Sequence, residues 1–250
     1  LVAAFGLAHG SIYLWFVMEF LIDVFGEAVE FLRDSAGELG AVVGLTLLVG
    51  GIATVVAVAL GVPLGITLGL GRFRGRRALL TAVNVGMGIP PVLVGLIVLL
   101  LLWSDGPFGS LDILFTPAAM VVVQVLLALP IAAGVTAGAV SSLSRDAVEQ
   151  IAALRLGVVR RGILVARETW PGITAAVAAS FGRVVSEVGA VLIVGGNIKG
   201  ETRVLTTAIV QEARQARFGA ALALGLVLLI IAFVITGSLT WLQSRERADA

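Results

Sequence analysis

Five apolar stretches, each long enough to cross a bilayer, constrain this chain more than any other feature. They lie at about 40–70, 80–103, 115–140, 172–196 and 218–242. A helix needs roughly 20 apolar residues to span the hydrocarbon core. No water is present there to satisfy exposed backbone groups, so runs of this length fold as helices. The overall balance agrees, at 59% hydrophobic and 13% charged residues with a mean hydropathy of +1.08. The sequence therefore predicts an all-α integral membrane protein built as one membrane domain. Its expected limits are residues 39–243, after a separate segment 1–38 and before a short tail 244–250. Pro63, Pro90, Pro91 and Pro130 fall inside the predicted spans. Proline is tolerated there when neighbouring helices satisfy the freed carbonyls. The 31 glycines suit helices that pack closely in lipid.

Charge sets an expected orientation. The connection near 71–79 holds Arg72, Arg74, Arg76 and Arg77 without an acid. The longer connection 141–171 holds Arg145, Arg155, Arg160, Arg161 and Arg167. The connection near 104–114 holds Asp105 and Asp112 without a base. The positive-inside rule places the first two in the cytoplasm and the third outside. Five alternating spans then put the N-terminal region outside and the C-terminus, with Arg245 and Arg247, inside. The 197–217 connection falls outside and carries Lys199, Arg203, Arg214 and Arg217, against a simple charge count. Trp103, Trp170 and Trp241 sit near predicted span ends, where interfacial aromatics gather.

The first 38 residues read differently. Glu19, Asp23, Glu27, Glu30 and Asp34 recur at helical spacing over 11–34, while Leu14, Met18, Leu21, Phe25 and Leu32 lie largely on other faces. This is an amphipathic helix with an acidic stripe. It either lies on the outer surface or continues a sixth span, or retained signal anchor, around 1–22. His9 stands alone there and reads as incidental. A chain that starts at Leu1 is expected to lack its natural N-terminus.

Several chemistries lack their residues. A phosphate-binding P-loop needs a Lys followed by Ser or Thr, but Lys199 is the only lysine and Gly200 follows it. The chain has no cysteine and one histidine, so it offers no thiol nucleophile and no His-pair zinc site. No nucleophile–base pair is in view, so the chain is expected not to be an enzyme and to bind no cofactor itself. No nucleic-acid partner is expected. If ATP drives the protein, a partner subunit hydrolyses it.

The polar island Ser141–Pro171 reads SSLSRDAVEQIAALRLGVVRRGILVARETWP between two predicted spans. Val148, Ile151, Ala152 and Leu156 make an apolar face, with Arg145, Glu149 and Arg155 elsewhere. A short helix of this kind either plugs into a groove on a soluble partner or rests on lipid headgroups. Gly157 can end the helix or turn the chain.

These residues carry a resemblance. The island resembles the cytoplasmic loop of ABC-importer permeases, Glu-Ala-Ala-x3-Gly followed about thirteen residues later by Pro. Ala152, Ala153 and Gly157 match it, whereas Ile151 occupies the Glu position and Pro171 comes one residue late. The stretch from Gly182 to Ile209, GRVVSEVGAVLIVGGNIKGETRVLTTAI, is similar to the tungstate-type subgroup. So are GVPLGITLG (61–69), FRGRRALL (73–80), GIPPVLVGL (88–96), GPFG (106–109), LFTPAAM (114–120) and 124–130. The resemblance runs in order over roughly 38–243. It implies an ABC type I importer-like permease fold, with five core transmembrane helices plus the N-terminal amphipathic or sixth helix. It further implies a multi-pass homodimer in the plasma membrane, bound to two ATP-binding-cassette subunits and served by an external oxyanion-binding protein. Tungstate is the implied cargo, with molybdate, sulfate or another oxyanion as the alternative. The helix within 145–160 would couple to the ATPase through Glu149, Ala152, Ala153 and Gly157.

The residues themselves suggest where a pathway or gate could lie. The fourth span is rich in small residues and holds Arg183 and Glu187 one helical turn apart. Ionisable groups at membrane depth face a partner or a water-filled cavity. They are either an intrahelical pair that fixes packing, or a pathway element in which Arg183 attracts a divalent anion. Gly195, Gly196 and Asn197, followed by Lys199 and Arg203, either receive an oxyanion or form a flexible external turn that docks the binding protein. Asn84 and Gln124 are expected to make interhelical hydrogen bonds. A secondary transporter without an ATPase partner is the rival class, but it would show two repeated halves that this sequence lacks.

Overall fold

The computed structural model describes residues 2–71 and 73–248, with side chains described for 18–71 and 73–241. Among the described residues the chain forms eleven α-helices and one 3-10 turn, Gly109–Leu111. The helices are α1 (Val2–Asp34), α2 (Ala36–Leu70), α3 (Arg76–Gly88), α4 (Pro91–Leu102), α5 (Pro117–Ser141) and α6 (Arg145–Ala153). They continue with α7 (Val158–Glu168), α8 (Trp170–Val185), α9 (Gly189–Gly195), α10 (Leu205–Arg214) and α11 (Phe218–Ala248).

Glycine spacing explains the central packing. Gly61, Gly65 and Gly69 recur every fourth residue on α2 and so fall on one face. A β-carbon added at Gly61 would lie 2.6 Å from the Ala132 Cβ. At Gly65 it would lie 2.6 Å from the Ala133 carbonyl oxygen and from the Thr136 Cβ. At Gly69 it would lie 2.5 Å from the Val140 Cγ1. Only hydrogen fits in these places, so α2 and α5 meet backbone to backbone. Such small-residue seams replace the hydrophobic drive that lipid-immersed helices lack. α8 packs against both helices, and the Gly172 position meets the Ala139 Cβ at 2.2 Å in the same way.

The predicted second and fourth spans are broken. α2, α5 and the Phe218–Trp241 part of α11 are each long and apolar enough to cross a membrane alone. α3 and α4 pass that test only together, bent by 100°, and α8 and α9 only together, bent by 58°. Counting each bent pair as one passage gives the five expected. The first break has a local cause. Two successive prolines remove two N–H donors, and a residue before proline is driven out of the helical region. Ile89 duly sits at φ −63°, ψ 132° and Pro90 at φ −58°, ψ 123°. Pro63 and Pro130, standing singly, stay inside their helices. The second break contains no proline, and its cause is tertiary, as described below. The two breaks are neighbours. The Gly95 position on α4 faces the Ala190 Cα of α9 at 2.7 Å, and the Gly189 position faces the Val92 side chain at 2.8 Å.

The N-terminal helix is longer than the amphipathic stretch read from the sequence. Over residues 18–34 it has three faces. Val24 and Ala28 are buried, and Phe20 meets Phe218 at the start of α11 edge to face, with centroids 6.3 Å apart. Met18, Ile22, Phe25 and Val29 form an exposed apolar stripe on one flank. Glu19, Asp23, Glu27, Glu30 and Asp34 form an exposed acidic stripe on the other. The alternative of a span around 1–22 falls mostly on side chains outside those described, as do His9, Arg245 and Arg247.

Candidate functional site

The polar island is two helices, not one. Ser144 starts α6 by accepting the Ala147 N–H at 3.2 Å on its hydroxyl. α6 ends one turn before Gly157. The left-handed residue that closes it is Arg155, at φ 48°. Gly157 is extended, at φ −61° and ψ 158°, and stands at the head of α7. Of the two roles expected of Gly157, it does not end the helix but lies in the turn of the chain, and its backbone angles there do not require glycine. Nothing lies within 4 Å of a β-carbon added there.

The apolar face read for a partner is also divided differently. Ile151 is 5% exposed and packs with Ile66, Val140 and Val165, where it pins the island to α2, α5 and α7. Val148 and Leu156 are half-buried. The outward surface is made instead by Ala152, Ala153, Leu154, Val158 and Val159, all exposed, beside Arg155 and Arg160. Val158 and Val159 are 85% and 75% exposed, which is unusual for branched apolar residues beside charges. Glu149 is exposed and pairs with Arg145 at 3.7 Å. A pair this open contributes about 0.3–0.5 kcal/mol at most.

The fourth span brings Arg183 and Glu187 together. An Arg183 Nη lies 3.7 Å from a Glu187 carboxylate oxygen, with side chains 30% and 6% exposed. Glu187 does more than pair. Its other carboxylate oxygen accepts the Ala190 N–H at 3.0 Å, which caps the start of α9. Its main-chain carbonyl accepts the Thr206 hydroxyl at 3.0 Å. The break between α8 and α9 is thus held by one acidic residue acting at both ends of its own peptide. Gln124 reaches the same place from α5, donating to the Val184 carbonyl at 3.3 Å. This is the interhelical bond expected of Gln124. Asn84 is exposed on α3 and makes no such bond.

The turn after α9 is built, not loose. Gly196 and Asn197 adopt left-handed angles, φ 71° and 54°. Thr202, fully buried, donates its hydroxyl to the Gly195 carbonyl and accepts the Ile198 N–H at 2.9 Å. Residues 205–214, read as part of a connection, form α10. Thr46 on α2 accepts the Leu205 N–H at 2.9 Å and fixes where α10 begins. Lys199 pairs with Glu38 at the head of α2, at 2.8 Å. Arg217 pairs with Glu212 at 3.3 Å. Two of the cations that break the simple charge count therefore have acids beside them. Lys199 and the Arg183–Glu187 pair do not converge on one site. Glu38, Thr46 and Thr206 were missed in the sequence, since partners 19 to 161 residues apart leave no local signal, and Thr202 was missed although its partners are only 4 and 7 residues away. Among the described residues no three His, Cys, Asp or Glu side chains are placed to hold a metal.

Among the described residues the architecture is an all-helical apolar bundle with a polar helix pair between membrane-length segments, the class of an integral membrane protein. The family described as "Binding-protein-dependent transport system inner membrane component" matches residues 61–248, and the chain belongs to it. It is 40% identical over 198 residues to a "Probable anion ABC transporter permease protein" of Haloferax volcanii, covering 77% of this chain and 85% of that one. It is 38% identical over 230 residues to the "Tungstate uptake system permease protein TupB" of Peptoclostridium acidaminophilum, covering 90% and 99%. The protein of that name from Campylobacter jejuni is 35% identical over 218 residues, covering 87% and 91%. Permeases named for sulfate and molybdenum transport also match, at 30% and 28% identity.

Proposed function

We propose that the chain is the permease of an ATP-driven importer of an oxyanion, tungstate, in the plasma membrane. Two copies form the passage, two separate ATPase subunits dock on the cytoplasmic face, and an external binding protein delivers the anion. The N-terminal region lies outside and the C-terminus inside. ATP-driven closure of the motor subunits is passed to the spans through α6 and α7. This is a two-state gate, and each ligand biases it by its different affinity for the two states.

The observation that carries this reading is the open surface around Gly157. Ala152, Ala153, Leu154 and Val158 surround a glycine that nothing in its own chain requires. An exposed apolar rim with arginines beside it suits docking on a protein groove, and Glu149 lies on the same helix. Inward anchoring through Ile151 lets a push on this surface reach α2 and α5. Tungstate over molybdate or sulfate is supported by the higher identity to permeases named for tungstate. Within the passage Arg183 is the candidate that meets the anion, and Glu187 holds it in place. Asn197 and Lys199 belong to the outer turn where the binding protein would dock.

Reconstituted vesicles containing the permease, its ATPase and its binding protein test the cargo. Uptake of tungstate should exceed that of molybdate and sulfate at equal concentration. Faster sulfate uptake would overturn the cargo assignment. Uptake driven by an ion gradient without the ATPase would overturn the class.

A further inference from the structure

We propose that a small, largely apolar cavity with three polar residues in its wall, beside the break in the fourth span, is a single-water site, and that its water ties α5 to the start of α10. The cavity has a volume of about 10 Å³ and lies between α2, α5, the end of α8 and residues 204–206. Its polar lining is Thr46, Gln124 and Thr206, set among Val49, Val184 and Val204. The three polar residues are 6%, 5% and 5% exposed.

Their hydrogen bonds leave the Gln124 Oε1 without any partner and the Thr206 hydroxyl with acceptor capacity to spare. Thr46 donates to the Val42 carbonyl at 2.7 Å and accepts the Leu205 N–H at 2.9 Å. Thr206 donates to the Glu187 carbonyl at 3.0 Å. Gln124 donates through Nε2 to the Val184 carbonyl at 3.3 Å. That bond fixes which way the amide points, because the flipped amide would set oxygen against oxygen. The Gln124 Oε1 is left fully buried without a partner. A buried amide acceptor without a donor is strongly disfavoured.

The chemistry of the space selects its occupant. A water needs about 10–15 Å³ and two to four polar partners. The unmet positions here are acceptors, the Gln124 Oε1 and the free lone pair of the Thr206 hydroxyl. Water carries two donors and suits both. A tetrahedral oxyanion is several times larger and consists only of acceptors. A cation would need more free oxygens, but the Val184 and Glu187 carbonyls already accept bonds. Gln124 and Thr206 thus each hold a carbonyl at the break, and the water joins the two holders.

The test is a structure of the assembled transporter in lipid, at a resolution that shows ordered water. The expected result is a peak about 2.5–3.0 Å from both the Gln124 Oε1 and the Thr206 Oγ1. The peak should vanish in Gln124→Met and weaken or move in Thr206→Val. An empty cavity in the unmutated protein would overturn the proposal. So would a peak that stays in place in Gln124→Met, or one ringed by oxygens at about 2.3–2.6 Å, the spacing of a bound cation. If Gln124→Met fails to assemble, the unmutated protein and Thr206→Val decide the matter.

Discussion

Glycine has opposite uses at the α2–α5 seam and on the polar island. At Gly65 an added β-carbon would press on backbone and side chain at 2.6 Å, so the residue serves the chain's own packing. At Gly157 the surroundings are empty to 4 Å. Its small size makes no close contact within the chain, and the proposed docking of a partner there is what would give it a use. The same residue type thus serves a close internal contact in one region and stands in open space in the other. Composition alone cannot separate them.

Substitution breaks or sharpens that contrast. Gly65→Leu should have the largest effect, driving α2 off α5 and leaving no monodisperse protein on size exclusion. Gly65→Ala, a milder overpacking, should cost about 1–3 kcal/mol in a denaturation series. Gly157→Trp should leave folding and thermal stability unchanged while lowering ATP-driven uptake about tenfold, within the usual span of coupling energies. ATPase activity that persists without transport would be its signature; unchanged transport would remove the island from the coupling path. Arg183→Ala lies between these two. Full assembly with abolished uptake would make Arg183 a pathway residue, whereas lowered thermal stability with residual uptake would make it a packing partner of Glu187. Lys199→Ala should have the smallest effect. Its pair with Glu38 is 65% and 48% exposed on the two sides, so the loss should stay within about 1 kcal/mol of stability. A larger loss would show that the turn after α9 depends on that pair.

The five apolar segments, three of them single helices and two bent pairs, were legible because hydropathy over 20 or more residues is a strong, local signal. The break at Pro90 was half legible. The prolines were visible, but reading them as tolerated within one span overlooked that two in succession also push Ile89 out of the helix. The break after Val185 was not legible at all, because Glu187 makes it through contacts with Ala190 and Thr206. On the island, helical spacing identified an apolar face but not its direction. Ile151 turns inward because Val140 and Val165 supply a buried seat, and helix periodicity carries no record of that seat. Arg183 and Glu187 do approach each other, although α8 ends at Val185 and Glu187 stands in the break after it, not one turn along the same helix. Lys199 was read without Glu38, since the two are 161 positions apart.

The sharp bend at Pro90 has a consequence for what surrounds the molecule. Non-helical backbone at membrane depth survives only where protein or water covers it. Yet Gly88 and Pro90 are exposed in the single chain, and the amide of Asn84 stands open one turn earlier. Acyl chains cannot solvate these groups. Were the bend to sit within a bilayer, this flank would need protein or water against it and not lipid.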